Sequence, residues 1–410
     1  MIVVRQRLAR VILAGLLAAV TLYPAPAPPD PEALWKANQW FELRDSVRAG
    51  RPAEFYLGAV AAAFGPDKDA MRFLKRASQS DPDALHRAVA DGYLAALCAR
   101  LGRRREAFEW HRRMEALSPQ AQIPIAQSQS QALLKAFSRV PDQRVAHRGY
   151  SRAQCSKDRS VVAIPVEIDG HASCYSLDTS SAFSSMGESE ARRIGLEMQD
   201  GGFDLDGIPV RIGVAHELKA GKFRIRNAAF VVFPGDSAAY GAEPGILGVP
   251  VLVAFETIRW SADGTVELGF PPDRSAAAPN MYFNWMLPVI GIDVVGRRVG
   301  LQLDTGSDHT FLWPEFARAF PAVGVLAGPL DSYRQIGLFG NTSVPFWPIP
   351  ELQFAVGGAP LTLRGVKLLA ADAQKNCLWC YGTLGVDLVN DAGAVTLDFR
   401  AMRVTLGHVR

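Results

Sequence analysis

Two short stretches in the C-terminal part of this chain carry residues suited to one reaction: Leu177-Asp178-Thr179-Ser180-Ser181 and Leu303-Asp304-Thr305-Gly306-Ser307. Each acid ends a run of alternating apolar and polar residues, so a strand delivers it to a tight turn of small residues. Alone, either acid is an ordinary turn or cap residue. Held side by side, the two become something else. Adjacent like charges cannot both ionise cheaply, so one carboxyl keeps its proton and the pair titrates as a unit. One group then takes a proton from water while the other polarises a carbonyl, which is what amide hydrolysis without a covalent intermediate requires.

The elements that must position these acids also occur twice. In the first copy Val162, Ile164, Val166 and Ile168 lead to an Asp169-Gly170 turn, and the returning strand ends at Asp178. In the second, Pro288 to Ile292 leads to a turn at Gly296, and Val299, Leu301 and Leu303 alternate into Asp304. Gly245-Ile246-Leu247-Gly248-Val249 follows Asp178 by 67 residues, and Gly382-Thr383-Leu384-Gly385-Val386 follows Asp304 by 78, which places an insertion of 11 residues in the second copy. A terminal hairpin is expected after each, turning at Asp263-Gly264 in one and at Asp391 to Gly393 in the other. Pro271, Pro272 and the stretch Ala276 to Pro279 make a linker between the copies.

This doubled pattern resembles the aspartic proteases of the pepsin and retropepsin type over about 250 residues. The resemblance implies an all-β bilobal acid-protease fold made of two fused retropepsin-like lobes, with Asp178 and Asp304 as the catalytic pair. Thr179 and Thr305 match the positions that hydrogen-bond across the interface in the family. Ser181 and Ser307 match the hydroxyl that orients the outer carboxylate oxygen. Gly306 fits the family's turn, whereas Ser180 stands where glycine is usual and brings a Cβ into a crowded place. Gly245, Gly248, Gly382 and Gly385 are expected to pass behind the dyad, where the absence of a side chain permits backbone approach. A flap is expected between Phe203 and Phe230, bent at Gly213 and Gly221. The implied activity is that of an endopeptidase acting on peptides or proteins with no cofactor and no metal, as a monomer because both carboxyls lie in one chain. The alternative is a catalytically impaired peptide-binding or scaffold protein of the cell envelope, which Ser180 favours.

Upstream the texture is helical. From Glu32 to Phe137 apolar residues recur at helical spacing, as at Tyr93, Leu94, Leu97 and Leu101. Gly65, Ala70 and Pro82 recur as Gly102, Ala107 and Pro119, a shift of 37 residues. That register resembles the tetratricopeptide pattern, in which Gly lets paired helices turn, Ala lets them pack closely and Pro ends the second helix. An ordinary helical bundle accounts for the same periodicity. The groove of such a repeat could recruit a partner, and Arg103, Arg104 and Arg105 are expected to form a solvated edge.

Arg5, Arg7 and Arg10 before the apolar run Val11 to Leu22 have the character of a secretory signal or, uncleaved, of a membrane anchor, and point to a bacterial periplasm or secretion. Cys155 and Cys174 flank a hairpin, and Cys377 and Cys380 form a lone C-x-x-C; local disulfides or buried thiols fit both pairs better than a metal. Cys98, in a helical pattern, reads as a packed small hydrophobe. His309 reads as a satisfied imidazole and Asp308 as a loop charge. Trp313, Tyr333, Phe339, Phe346 and Trp347 read as core of the second lobe. With 44 Lys+Arg against 41 Asp+Glu the net charge is only +3, so no basic field exists for nucleic acid. The expected organisation is a multidomain chain: signal or anchor at 1–27, a helical tetratricopeptide-like region at 28–148, a first lobe at 149–272, a linker at 273–280 and a second lobe at 281–410.

Overall fold

The computed structural model describes residues 29–121, 127–155, 161–199, 201–205, 207–235, 244–271, 277–323, 329–337, 340–370 and 379–407. The N-terminal segment read as a signal and the residue Cys377 lie outside them. Two compact units are present, one running to Arg51 and one from Pro52 to Arg410. The first contains α1 (Pro31–Lys36), whose N-terminus is capped by the Asp30 carboxylate, and the amphipathic α2 (Trp40–Ala49), which buries Trp40, Phe41, Leu43 and Val47.

The second unit opens with α3 (Glu54–Phe64), α4 (Asp67–Ser80), α5 (Ala84–Arg100), α6 (Arg104–Ala121) and α7 (Gln127–Phe137), each packed on the next. Gly65 and Gly102 occupy equivalent left-handed turns, φ +75° and +70°, between the members of successive pairs. Ala70 and Ala107 are fully buried at those pairs' crossings. A Cβ on Gly58 would sit 2.7 Å from the Leu74 side chain, so α3 and α4 meet at close range there. One repeat position departs from expectation: Pro82 follows the end of α4, but Pro119 lies within α6, which continues to Ala121. Cys98 is buried with a free thiol, which burial pushes up to about 12.

The β region begins with β1 (Arg144–His147), β2 (Ser151–Gln154), β3 (Ala163–Ile168), β4 (His171–Leu177) and β5 (Ser184–Gly187). After a one-turn helix come β6 (Glu197–Met198), β7 (Phe203–Leu205), β8 (Ile208–Ala220), β9 (Phe223–Phe233) and β10 (Gly245–Leu247), and then the hairpin β11 (Thr257–Ser261) and β12 (Thr265–Leu268). The second lobe contributes β13 (Met281–Asn284), β14 (Leu287–Val294), β15 (Arg297–Leu303), β16 (Phe311–Leu312), β17 (Asp331–Gly337), β18 (Gly340–Val356), β19 (Ala359–Leu369), β20 (Gly382–Leu384), β21 (Ala394–Asp398) and β22 (Arg403–Leu406).

These strands form the same closed, barrel-like path twice. In the first lobe the order is β9-β5-β10-β4-β3-β8, closed by β8 on β9; in the second it is β19-β16-β20-β15-β14-β18, closed by β18 on β19. Both leading hairpins turn on two residues of positive φ, Asp169-Gly170 and Val295-Gly296. The 11-residue insertion is largely one longer hairpin: β17 and β18 have 7 and 17 residues against 3 and 13 in β7 and β8.

A third sheet, ordered β2-β12-β11-β21-β22, belongs to both lobes, with Thr257 to Ser261 paired antiparallel to Ala394 to Asp398. One continuous apolar core, from Val162 to Val404, runs through the two barrels. The first hairpin of this sheet turns at Asp263-Gly264 as expected from sequence. The second does not turn at Asp391 to Gly393, which end a short helix (Leu388–Ala392); its turn falls between Asp398 and Arg403, where Met402 takes a positive φ of 50°. Of the two glycines expected to bend the flap, Gly221 lies at a turn and Gly213 does not. The β7–β8 turn is at Gly207 and Gly221 serves the next turn, whereas Gly213 lies inside β8 against Leu196.

Candidate active site

Asp178 stands at the end of β4 and Asp304 at the end of β15, each in the middle of its barrel wall. β10 runs parallel beside β4, and β20 beside β15, so that the Asp178 N–H donates to Leu247 O at 3.1 Å and the Asp304 N–H to Leu384 O at 2.9 Å. The match extends past the acids. Val249 N–H donates to Ser181 O and Val386 N–H to Ser307 O, both at 2.9 Å. Gly248 N–H meets the Ser184 hydroxyl and Gly385 N–H the Thr310 hydroxyl. All four glycines lie where backbones nearly touch: a Cβ would overlap Ser185 O at Gly245, the Phe183 carbonyl at Gly248, Phe311 O at Gly382 and the His309 carbonyl at Gly385.

The two loops are tied together by a reciprocal exchange. The Thr179 hydroxyl donates to Leu303 O at 2.8 Å and accepts the Thr305 N–H at 3.1 Å; the Thr305 hydroxyl donates to Leu177 O at 2.6 Å and accepts the Thr179 N–H at 3.1 Å. Both threonines are buried, so every partner left unmatched here would carry a desolvation cost. This exchange brings the acids face to face. The carbon and both oxygens of the Asp178 carboxyl lie 2.8–3.1 Å from the point where a Cβ on Gly306 would sit, so a side chain there would push that carboxyl out of place.

The two carboxyls differ in their support. Asp178 accepts three bonds of 2.7 Å, from the Ser180 N–H and hydroxyl on Oδ1 and from the Ser181 hydroxyl on Oδ2. Asp304 accepts the Gly306 N–H at 3.0 Å, and the Ser180 hydroxyl reaches it too. The expected role of Ser307 is not seen: its hydroxyl donates to His309 O at 2.8 Å instead of to Asp304. Asp304 keeps some surface open to solvent, yet its carboxyl is hemmed in by protein. That burial, and next the charge of Asp178, raise it well above the ordinary carboxylate range, against the opposing bonds from Ser180 and Gly306.

Further along the second loop lies a cluster that its residue types do not announce. The Tyr333 hydroxyl of β17 donates to Asp308 at 3.1 Å, and its ring meets those of His309 and Phe311. Lys367 sits among Phe311, Tyr333 and Phe346, with its amine 5.1–5.8 Å from the ring centroids, and burial lowers its ordinary value. Asp387 accepts both the N–H and the hydroxyl of Thr310, and burial raises it. These contacts join residues 21 to 77 positions apart, which is why local pattern does not expose them. Trp313 and Phe346 are buried as expected of core, and Phe339 lies outside the described residues.

Cys155 and Cys174 form a disulfide with Cα atoms 6.2 Å apart, joining the segment after β2 to β4. Cys380 is also disulfide-bonded and buried. On the helical side, Arg104 is not part of a solvated edge. It is buried, donates to Asn227 O at 2.8 Å and to Pro141 O, and lies over the Phe137 ring, while Arg103 and Arg105 remain exposed.

No protein-family profile matches this chain, and no curated protein matches it. Among solved structures, it is similar to the crystal structure of a retropepsin-like aspartic protease from Rickettsia conorii, at 16% identity and a TM-score of 0.23, over 31% of this chain and 92% of that one.

Proposed function

We propose that the chain is an exported aspartic endopeptidase, with Asp178 and Asp304 sharing one proton and activating water between them. The observation that carries this reading is the crossed pair of Thr179 and Thr305 bonds, which fixes two carboxyls from different lobes against each other at two equivalent strand ends. In the forward step Asp178 takes a proton from water as the oxygen attacks the carbonyl carbon, and Asp304 gives its proton to the carbonyl oxygen. The tetrahedral diol then collapses: the C–N bond breaks as the proton held by Asp178 passes to the leaving nitrogen, and one of the diol hydroxyls returns a proton to Asp304, which restores the resting pair. Export is proposed from the Arg5 to Leu22 segment, and the Cys155–Cys174 disulfide accords with an oxidising compartment. The deciding experiment incubates the full chain with a denatured protein mixture from pH 3 to 8, with pepstatin and Asp304→Asn as controls. Cleavage that both controls abolish is expected. Cleavage indifferent to Asp304→Asn rejects the mechanism, and no cleavage at any pH rejects the protease reading.

A further inference from the structure

At the third position of the two acid loops the chain is unsymmetrical, with Ser180 in one and Gly306 in the other. The glycine is accounted for by the Asp178 carboxyl packed against it. The serine is not tolerated by turning outward. Its hydroxyl lies 2.7 Å from Asp178 Oδ1, on the same oxygen that accepts its own N–H at 2.7 Å; with one proton to give, it can serve Asp178 or the nearby Asp304 carboxyl but not both, and its short contact is with Asp178. The fourth position adds to the imbalance, because Ser181 donates to Asp178 Oδ2 at 2.7 Å while Ser307 donates to a backbone carbonyl. Donors favour the charged form of the carboxylate they meet. Three converge on Asp178, two of them from Ser180.

Resting on the protease reading above, we propose that Ser180 is a positioning residue that polarises the dyad: its hydroxyl clamps Asp178 as the proton-accepting member and leaves the shared proton on Asp304. Asp178 is the titratable group that acts on Asp304. Asp308 and His309, farther along the second loop, face Tyr333 and each other rather than the clamp. On this assignment the pair loses its first proton at lower pH because the Ser180 hydroxyl holds the resulting charge.

The test follows the pH profile of kcat/KM and, on full-length protein with Asp labelled at the carboxyl carbon, the NMR titration of the two carboxyls in wild type, Ser180→Ala and Ser180→Gly. A hydrogen bond to a charged group lost in this way moves the acidic limb and the pair's lower titration step up by about one pH unit. Asp178→Asn and Asp304→Asn assign the signals. Ser180→Thr, which keeps a hydroxyl, is expected to hold the wild-type titration. A fall in kcat in Ser180→Ala and Ser180→Gly with an unmoved acidic limb and titration overturns the proposal, since a purely structural role would do that. If wild type cleaves nothing, the protease reading fails, and the carboxyl titration still decides whether Ser180 sets the pair's protonation.

Discussion

At the residue scale, the site is a contest between burial and charge. Asp304 holds its proton to higher pH in the folded chain than an unfolded Asp would, because its surroundings and Asp178 both disfavour its charge. Between the unfolded value, about 3.9, and the raised folded one, the native state binds more protons than the unfolded state, so stability falls as pH climbs through that window. Above the window the penalty is fully present. Asp304→Asn is neutral at every pH and escapes it. That variant is expected to lose about 10²–10⁴-fold in hydrolysis while melting above wild type at pH 8, with the two melting points converging near pH 3. Calorimetry at both pH values checks this, and parallel curves would contradict it.

At the element scale, paired strands bring the acids to the centre and the threonine exchange locks them there. Thr179→Val or Thr305→Val leaves a buried N–H and a buried carbonyl without partners, at about 1–3 kcal/mol per group. Because each hydroxyl serves the other's backbone, the double variant is expected to cost less than the two single costs combined. Urea unfolding of the four proteins measures the coupling, and strict additivity would show that the loops are held independently. Much of this framework was legible beforehand, since it is written in local signals: the alternation into Asp178 and Asp304, the Asp169-Gly170 turn and the paired Gly-x-Leu-Gly segments. What escaped was set by geometry between distant residues. Ser307 has the right type and spacing to serve Asp304, but its hydroxyl bonds to His309 O instead. Gly213 looked like a bend, yet it is glycine because Leu196 crosses the face of β8. Asp391 to Gly393 carry turn residues and do end an element, but that element is a helix.

At the scale of the whole molecule, the second unit joins its helices and both lobes by specific contacts. Phe137 of α7 stacks on Phe183 beside the first acid loop, at 4.5 Å. The apolar residues of the β7–β8 hairpin, Phe203, Leu205 and Ile208, pack into the same cluster. On the other side, Trp285 at the β13–β14 turn lies 4.7 Å from Tyr93 and fills the space that Gly92 leaves open. A tethered repeat would leave the lobes' stability untouched when altered. Phe137→Ala, which removes a buried ring, is expected to lower it by about 3–5 kcal/mol, with faster hydrogen exchange in β8 and β9. Unchanged exchange there would mean that the helices are a separate passenger. The sheet shared through β11 and β21 has a consequence of another kind. A catalyst assembled from two identical subunits must repeat every side chain on both halves and is lost on dilution. Covalent fusion lifts both constraints at once: the halves meet at any concentration, and a serine can enter one acid loop while its counterpart stays glycine.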